Sequence, residues 1–364
     1  MTNNTNAIMK DRLSRVIKGM QAMELDQILV TATDSIFYLT GLWIAPGERM
    51  LALKVDSSGG MHLYVNHMLT PGEMPEGCKA VYFDDADDAL GILAGDISRG
   101  QLGIDKYWPS RFTLGLQEKR SDVKLVLGSA PVDDARMIKD AAELDAMRKA
   151  SRLNDQVVGA IKHTLIEGER EIDVARRFEQ MGIDAGARCP SFTPLICFGK
   201  NAAEPHHGTD ATHLEKGMPV ILDLGLDVDH YMSDMTRTVF FGSVTDEEKK
   251  VYEIVLAANL AAKSVARPGI PMRDIDRAAR KVIEDAGYGQ YFIHRTGHGI
   301  GLAVHEPPDA SAVSDIIARP GMVFSIEPGI YLPNKFGVRI EDLIAITQDG
   351  YECLNELDRT LEVV

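Results

Sequence analysis

The spacing of apolar positions changes character partway along the chain. In the stretch DRLSRVIKGMQAMEL, Leu13, Val16, Ile17 and Met20 recur at helical spacing and predict an amphipathic helix. The short runs QILVTA, MLALKV and KLVLGS are rich in branched apolar residues and read as strands. Such alternation predicts an α/β domain. From Met137 the pattern becomes continuous. Met137, Ala141, Leu144, Met147, Ala150, Leu153, Val157, Ile161 and Leu165 follow at steps of three or four, up to Gly168. This predicts one long helix, with Asp133 or Asp134 as its cap. The expected domains are therefore 1–130 and 131–364.

The second part of the chain repeats itself. REIDVARRFEQMGIDAG, from Arg170, resembles RDIDRAARKVIEDAG, from Arg273. Arg170, Ile172, Asp173, Ala175 and Arg177 match Arg273, Ile275, Asp276, Ala278 and Arg280, each pair 103 residues apart. The acidic residues repeat as well. In MPVILDLGLDVDHYMSDMTRTVFFG, two strand-like runs surround a polar centre at 227–230, and Asp223 and Asp234 flank it almost symmetrically. An antiparallel hairpin would bring them side by side. In GMVFSIEPGIYLPNKFGVRIEDLIAI the turn falls at 333–335, and Glu327 and Glu341 flank it at equal distance. Glu327 follows Asp223 by 104 residues, close to the helix offset.

These acids sit in core-strand sequences, where a lone carboxylate is costly. Edge positions, or pairing with Arg237 and Arg339, would be the structural explanation for one of them; four in matched hairpins point instead to metal. Two unit charges about 4 Å apart interact by about 4 kcal/mol at an effective dielectric of about 20. Two divalent cations would cancel the four charges and could share a water made nucleophilic near neutral pH. A third element, RTGHGIGLAVHEPP, holds His298 and His305 among Gly297, Gly299 and Gly301. Its glycines suit close approach of backbone, a non-glycine being expected to crowd the metal face. The phosphate-loop reading fails, because no helix start follows.

Composition narrows the function classes. The 364 residues include 39 Lys plus Arg against 54 Asp plus Glu, a net charge of -15 that disfavours nucleic acid as a partner. The four cysteines form no CxxC pair and read as reduced thiols. The polar first residues and the absence of a long apolar run lead to the expectation of a cytoplasmic protein with no membrane span.

The ordered set Asp223 in LDLG, Asp234 in SDMTRT, His298 in GHGIG, Glu327 in IEPGIY and Glu341 in GVRIED resembles the pita-bread metallopeptidases. That family includes methionine aminopeptidase, Xaa-Pro aminopeptidase and Xaa-Pro dipeptidase (prolidase). The resemblance spans roughly 137–360, and the first third, through DSIFYLTG, is similar to the creatinase-type amino-terminal domain. It implies an α/β chain: a creatinase-type N-terminal α/β domain, then a pseudo-two-fold α+β pita-bread catalytic domain. It further implies two divalent metal ions per subunit, held by Asp223, Asp234, His298, Glu327 and Glu341 and sharing a bridging hydroxide. Glu327 would also serve as general base. His206, ahead of its neighbour His207, and His305 would bind the scissile carbonyl and stabilise the tetrahedral intermediate. Apart from the resemblance, Arg339 alternates with Glu341 on one strand face, where it would orient that carboxylate, contact substrate, or serve only as a buried ion-pair partner. The oxygen-rich donor set suits Mn²⁺ first, with Co²⁺ or Zn²⁺ as alternatives.

The implied activity is hydrolysis of the Xaa-Pro bond of dipeptides or short peptides, by a homodimer. Archaeal-type prolidases carry an arginine just after the HExP segment, where this chain has Asp309, so dipeptidase and aminopeptidase both stay open. Tyr38 and Trp43 are candidates for reaching a substrate pocket, with core packing as the alternative. Creatinase itself lacks the acidic ligands, which argues against that activity. A metal-dependent amidohydrolase or lyase on the same fold, and a non-catalytic binding module, are the remaining alternatives.

Overall fold

Six strands form one sheet in the first part of the chain, in the spatial order Cys78–Phe83, Met61–Asn66, Ala52–Asp56, Gln27–Val30, Gly100–Ile104 and Val123–Leu127. The computed structural model describes residues 3–69 and 71–364, and the chain divides into two units, Met1–Arg136 and Met137–Val364. Gln27–Val30 lies inside the first sheet and is buried throughout, as its continuous apolar run requires. The helix Asn3–Ala22 buries Val16 and Met20. Tyr38 is fully buried within this unit and its hydroxyl donates to Ala135 O at 3.0 Å, so it belongs to the core. Trp43 packs edge-on against Phe37, with ring centroids 5.6 Å apart.

The single long helix expected from Met137 is two helices, Ala130–Met137 and Ala141–Ile161. Asp133 and Asp134 lie inside the first and cap nothing. The second starts at Asp140, whose carboxylate accepts from Glu143 N at 3.0 Å while the Glu143 carboxylate accepts from Asp140 N at 3.0 Å. This reciprocal pair satisfies two otherwise orphaned donors and fixes the start. Between the helices, Lys139 is buried in an ion pair with Glu306 at 2.6 Å. Apolar spacing runs on across this break, which hides it from a periodicity argument.

The second unit is built twice over. Helices Ala141–Ile161 and Glu171–Asp184 belong to one half, Asp246–Val265 and Met272–Asp285 to the other. In the first half, Val158, Ile161 and Phe178 pack on Ile196, Val220 and Leu222. In the second, Val255, Ala258 and Ile275 pack on Phe324, Ile326 and Ile344. Equivalent hydrogen bonds recur. Asn154 Nδ2 donates to Leu224 O at 2.8 Å, and Asn259 Nδ2 to Ile326 O at 2.9 Å. Bridges Arg170 to His213 and Pro271 to Ile317 tie the start of each second helix to a following loop. The sequence repeat is thus a repeat in space. Among the described residues, no helix is long and apolar enough to cross a membrane.

Candidate metal centre

Each of the four acids stands at or beside a place where a strand ends. Asp223 lies near the end of Pro219–Leu224, opposite Thr236 of Met235–Phe240. Asp234 occupies the break between Tyr231–Met232 and Met235–Phe240. Glu327 falls between Val323–Ile326 and Gly329–Leu332, and Glu341 between Phe336–Arg339 and Asp342–Ile346. At these breaks the backbone leaves one ladder for another, and a polar side chain can turn inwards among apolar neighbours. His298 is the middle residue of Gly297–Gly299.

The five side chains converge. His298 Nε2 lies 3.5 Å from Glu327 Oε1 and 3.7 Å from Asp234 Oδ2. One ligand atom each from Asp234, His298 and Glu341 lie within 4.8 Å of one another, and all three residues are buried. Burial, and then repulsion by Glu341, Asp223 and Glu327, raises the Asp234 carboxyl well above its ordinary range. Burial, with repulsion by Glu327 and Asp223, does the same to Glu341. Burial pushes Glu327 up to about 7, against the pull of Arg339. His298 is pushed down to about 3 by burial and by His305, so its ring is neutral and able to ligate.

Asp234 Oδ1 and Glu341 Oε1 are buried without a hydrogen-bond partner. Orphaned carboxylate oxygens in a crowded anionic pocket are expensive unless a cation meets them. The donor set of carboxylates and one imidazole therefore fits divalent metal ions.

Around this cluster lies a cavity of about 530 Å³, with Phe192, Leu195 and Val304 as apolar lining. His206 and His305 line it too, and the His305 ring lies 4.2 Å from that of His298. His207 does not: its Nε2 faces Glu171 at 3.6 Å and Asp210 at 3.4 Å. The two adjacent histidines are thus separated by geometry. Arg339 borders the cavity but is buried and engaged throughout. Its Nη2 donates to Asp223 at 2.6 Å, its Nε to Thr236 at 3.1 Å, and its Nη1 to Tyr331 at 2.9 Å and to Pro205 O at 3.3 Å. Of the three expected roles it fills that of a buried ion-pair partner, to Asp223, while Glu341 is held by Thr236, which donates to Glu341 Oε2 at 2.8 Å.

Two contributors escaped the sequence reading. The Tyr331 hydroxyl, having accepted from Arg339, donates to His294 Nε2 at 2.9 Å, and His294 Nδ1 donates to Arg295 O at 2.7 Å. His294 borders the cavity and is pushed down to about 4 by burial and Arg339. Their spacing, His294 four residues before His298 and Tyr331 four after Glu327, is the only local signal. The glycines of GHGIG also have a different cause from the one expected. A Cβ on Gly297 would lie 1.8 Å from Ser325 O, and one on Gly299 2.4 Å from Glu306 O. They admit neighbouring strands, and the metal face is not what they keep clear.

Known proteins match this chain along most of its length. The model of metallopeptidase family M24 matches residues 145–348, and that of the creatinase/prolidase N-terminal domain matches residues 12–138. The Xaa-Pro dipeptidase of Pyrococcus horikoshii is 35% identical over 355 residues, 97% of this chain and 99% of that protein. A recombinant prolidase from Thermococcus sibiricus superposes with a TM-score of 0.91 at 34% identity, over 98% of this chain and 99% of that one. The dipeptidase PepE of Mycobacterium ulcerans gives a TM-score of 0.90 at 31% identity, over 99% and 98%. The chain belongs to metallopeptidase family M24, an enzyme with a creatinase/prolidase-type domain ahead of its catalytic domain.

Proposed function

We propose that the protein hydrolyses the Xaa-Pro bond at the N-terminus of dipeptides and short peptides. The observation that carries this reading is the cavity itself, where four carboxylates and a neutral imidazole adjoin an apolar wall and two further histidines. The relatives named Xaa-Pro dipeptidase and prolidase support the substrate class. Asp223, Asp234, His298, Glu327 and Glu341 would hold two divalent cations, Mn²⁺ first, with Co²⁺ or Zn²⁺ as alternatives. When bound, the cations would activate a water and polarise the scissile carbonyl.

The protein's own residues do the rest. Glu327, whose proton affinity burial brings close to neutrality, takes the proton of the attacking water and delivers it to the prolyl nitrogen as the bond breaks. His206 and His305 donate N–H groups to the carbonyl oxygen as it gains charge. Burial lowers the His305 ring's proton affinity, which keeps it a neutral donor. Phe192, Leu195 and Val304 receive the pyrrolidine ring, an apolar group without an N–H to satisfy. Arg339 acts through Asp223, which it orients. The same reading has the protein working as a homodimer in the cytoplasm.

The test is to strip the protein of metal, restore Mn²⁺, and assay an Xaa-Pro dipeptide beside an Xaa-Pro-Yaa tripeptide. Metal-dependent release of proline from the dipeptide is the expected result. Cleavage of neither, with metal bound, would overturn the reading.

A further inference from the structure

An Xaa-Pro dipeptide carries its terminal carboxylate one residue beyond the scissile bond, so a cavity that prefers dipeptides needs a cation on the product side. Two arginines border the cavity, Arg295 and Arg339. Arg339 is not available, because each of its three guanidinium nitrogens already has a partner. Arg295 differs on every count. Its side chain keeps 35% exposure, and among the described residues its guanidinium has one partner, Asp309, reached by Nη1 at 2.7 Å. Of five guanidinium N–H donors, one is thereby occupied.

The surroundings hold Arg295 in place. Thr296 N donates to Ala310 O at 2.9 Å and to Asp276 Oδ1 at 3.1 Å, and Thr296 O accepts from Glu327 N at 2.8 Å. The backbone that carries Arg295 is thus tied both to the neighbouring strand and to Glu327. Asp309 is opposite His298 on the paired strand and is half exposed, so its ion pair steers the guanidinium at little energetic cost to a competing carboxylate.

We infer that Arg295, aligned by Asp309 and facing the cavity that holds Glu327, receives the C-terminal carboxylate of an Xaa-Pro dipeptide and sets the preference for dipeptides. This rests on the peptidase reading above and supplies the positive group that position 309 lacks.

The experiment compares Ala-Pro with its C-terminal amide, Ala-Pro-NH₂, on the Mn²⁺-loaded enzyme and on Arg295→Ala and Arg295→Gln, with thermal melts to verify folding. Gln keeps most of the apolar stem and removes the charge, so it carries the test should Ala disturb the loop. The wild type is expected to favour the acid over the amide. Either variant should lower kcat/KM for the acid roughly 10- to 100-fold, chiefly through KM, while cleavage of the amide stays near its wild-type rate. Inhibition by free proline should weaken in parallel, with inhibition by prolinamide unchanged. A wild type without preference for the acid, or a variant that slows acid and amide alike, would overturn the assignment while leaving the peptidase reading intact. A wild type that cleaves neither peptide would overturn both.

Discussion

The Thr236 hydroxyl donates to Glu341 Oε2 at 2.8 Å, joining residues 105 positions apart, one from each half of the catalytic unit. Both are buried, and the other carboxylate oxygen, Oε1, has no partner. The bond holds one oxygen and thereby aims the other at the pocket. Thr236→Val preserves shape and removes the donor. Metal affinity should fall roughly 10- to 100-fold, as read by titrating Mn²⁺ into the stripped variant. An unchanged dissociation constant would remove Thr236 from this role.

Glu327→Gln keeps the side chain's size and removes its ability to accept a proton. Turnover of an Xaa-Pro dipeptide should drop by roughly 10²- to 10⁴-fold, while the circular dichroism melt stays close to wild type. Near-normal activity would show that another group takes the proton.

The same substitution tests the proton held by burial. The Glu327 carboxyl has an ordinary value of 4.5 and is pushed up to about 7 in the folded protein. Between these values the folded state binds more protons than the unfolded one. Its contribution is therefore fully present below 4.5 and is lost as pH rises through about 7. In metal-free protein, the unfolding free energy of the wild type minus that of Glu327→Gln should fall with rising pH, by about 1.4 kcal/mol per unit across the window. Taking the difference cancels the opposing contributions of His294, His298 and His305. A difference independent of pH would mean that Glu327 is ionised throughout.

Next to Glu341, Asp342 is fully buried and pairs with Arg237, Lys263 and Arg359. Those cations hold it down to about 2 against the effect of burial. Asp342→Asn would leave three cations facing no charge, and should cost about 3–5 kcal/mol of stability in urea denaturation. A loss below about 1 kcal/mol would indicate that water reaches these cations.

The sequence made the acids legible for a physical reason. One carboxylate inside an apolar strand can be explained by an arginine partner, but four of them in two matched hairpins, Asp223 with Asp234 and Glu327 with Glu341, cannot be read singly. The helix repeat was legible because both copies bury the same face. The helix boundary was not, since Met137 and Ala141 keep helical spacing across a break made by Asp140 and Glu143. The strand Cys78–Phe83 went unread because it lies at a sheet edge and is only partly buried, so its residues mix polar and apolar. His294 and Tyr331 are legible only in space, for they meet across 37 residues and neither stands in a local pattern that chemistry would demand. Arg295 stands three residues before His298 with no chemical role legible in the sequence, and only in space does its exposure contrast with the burial of Arg339.

The duplicated construction of the catalytic unit divides its acids evenly, Asp223 and Asp234 on one side of residue 242, Glu327 and Glu341 on the other. Each side carries two of the acids, so cations held by all four would also fasten the two sides together. Were the chain nicked between Gly242 and Thr245, the free energy of metal uptake would become association energy between two fragments. The apparent affinity of the fragments for one another would then be set by the concentration of free cation.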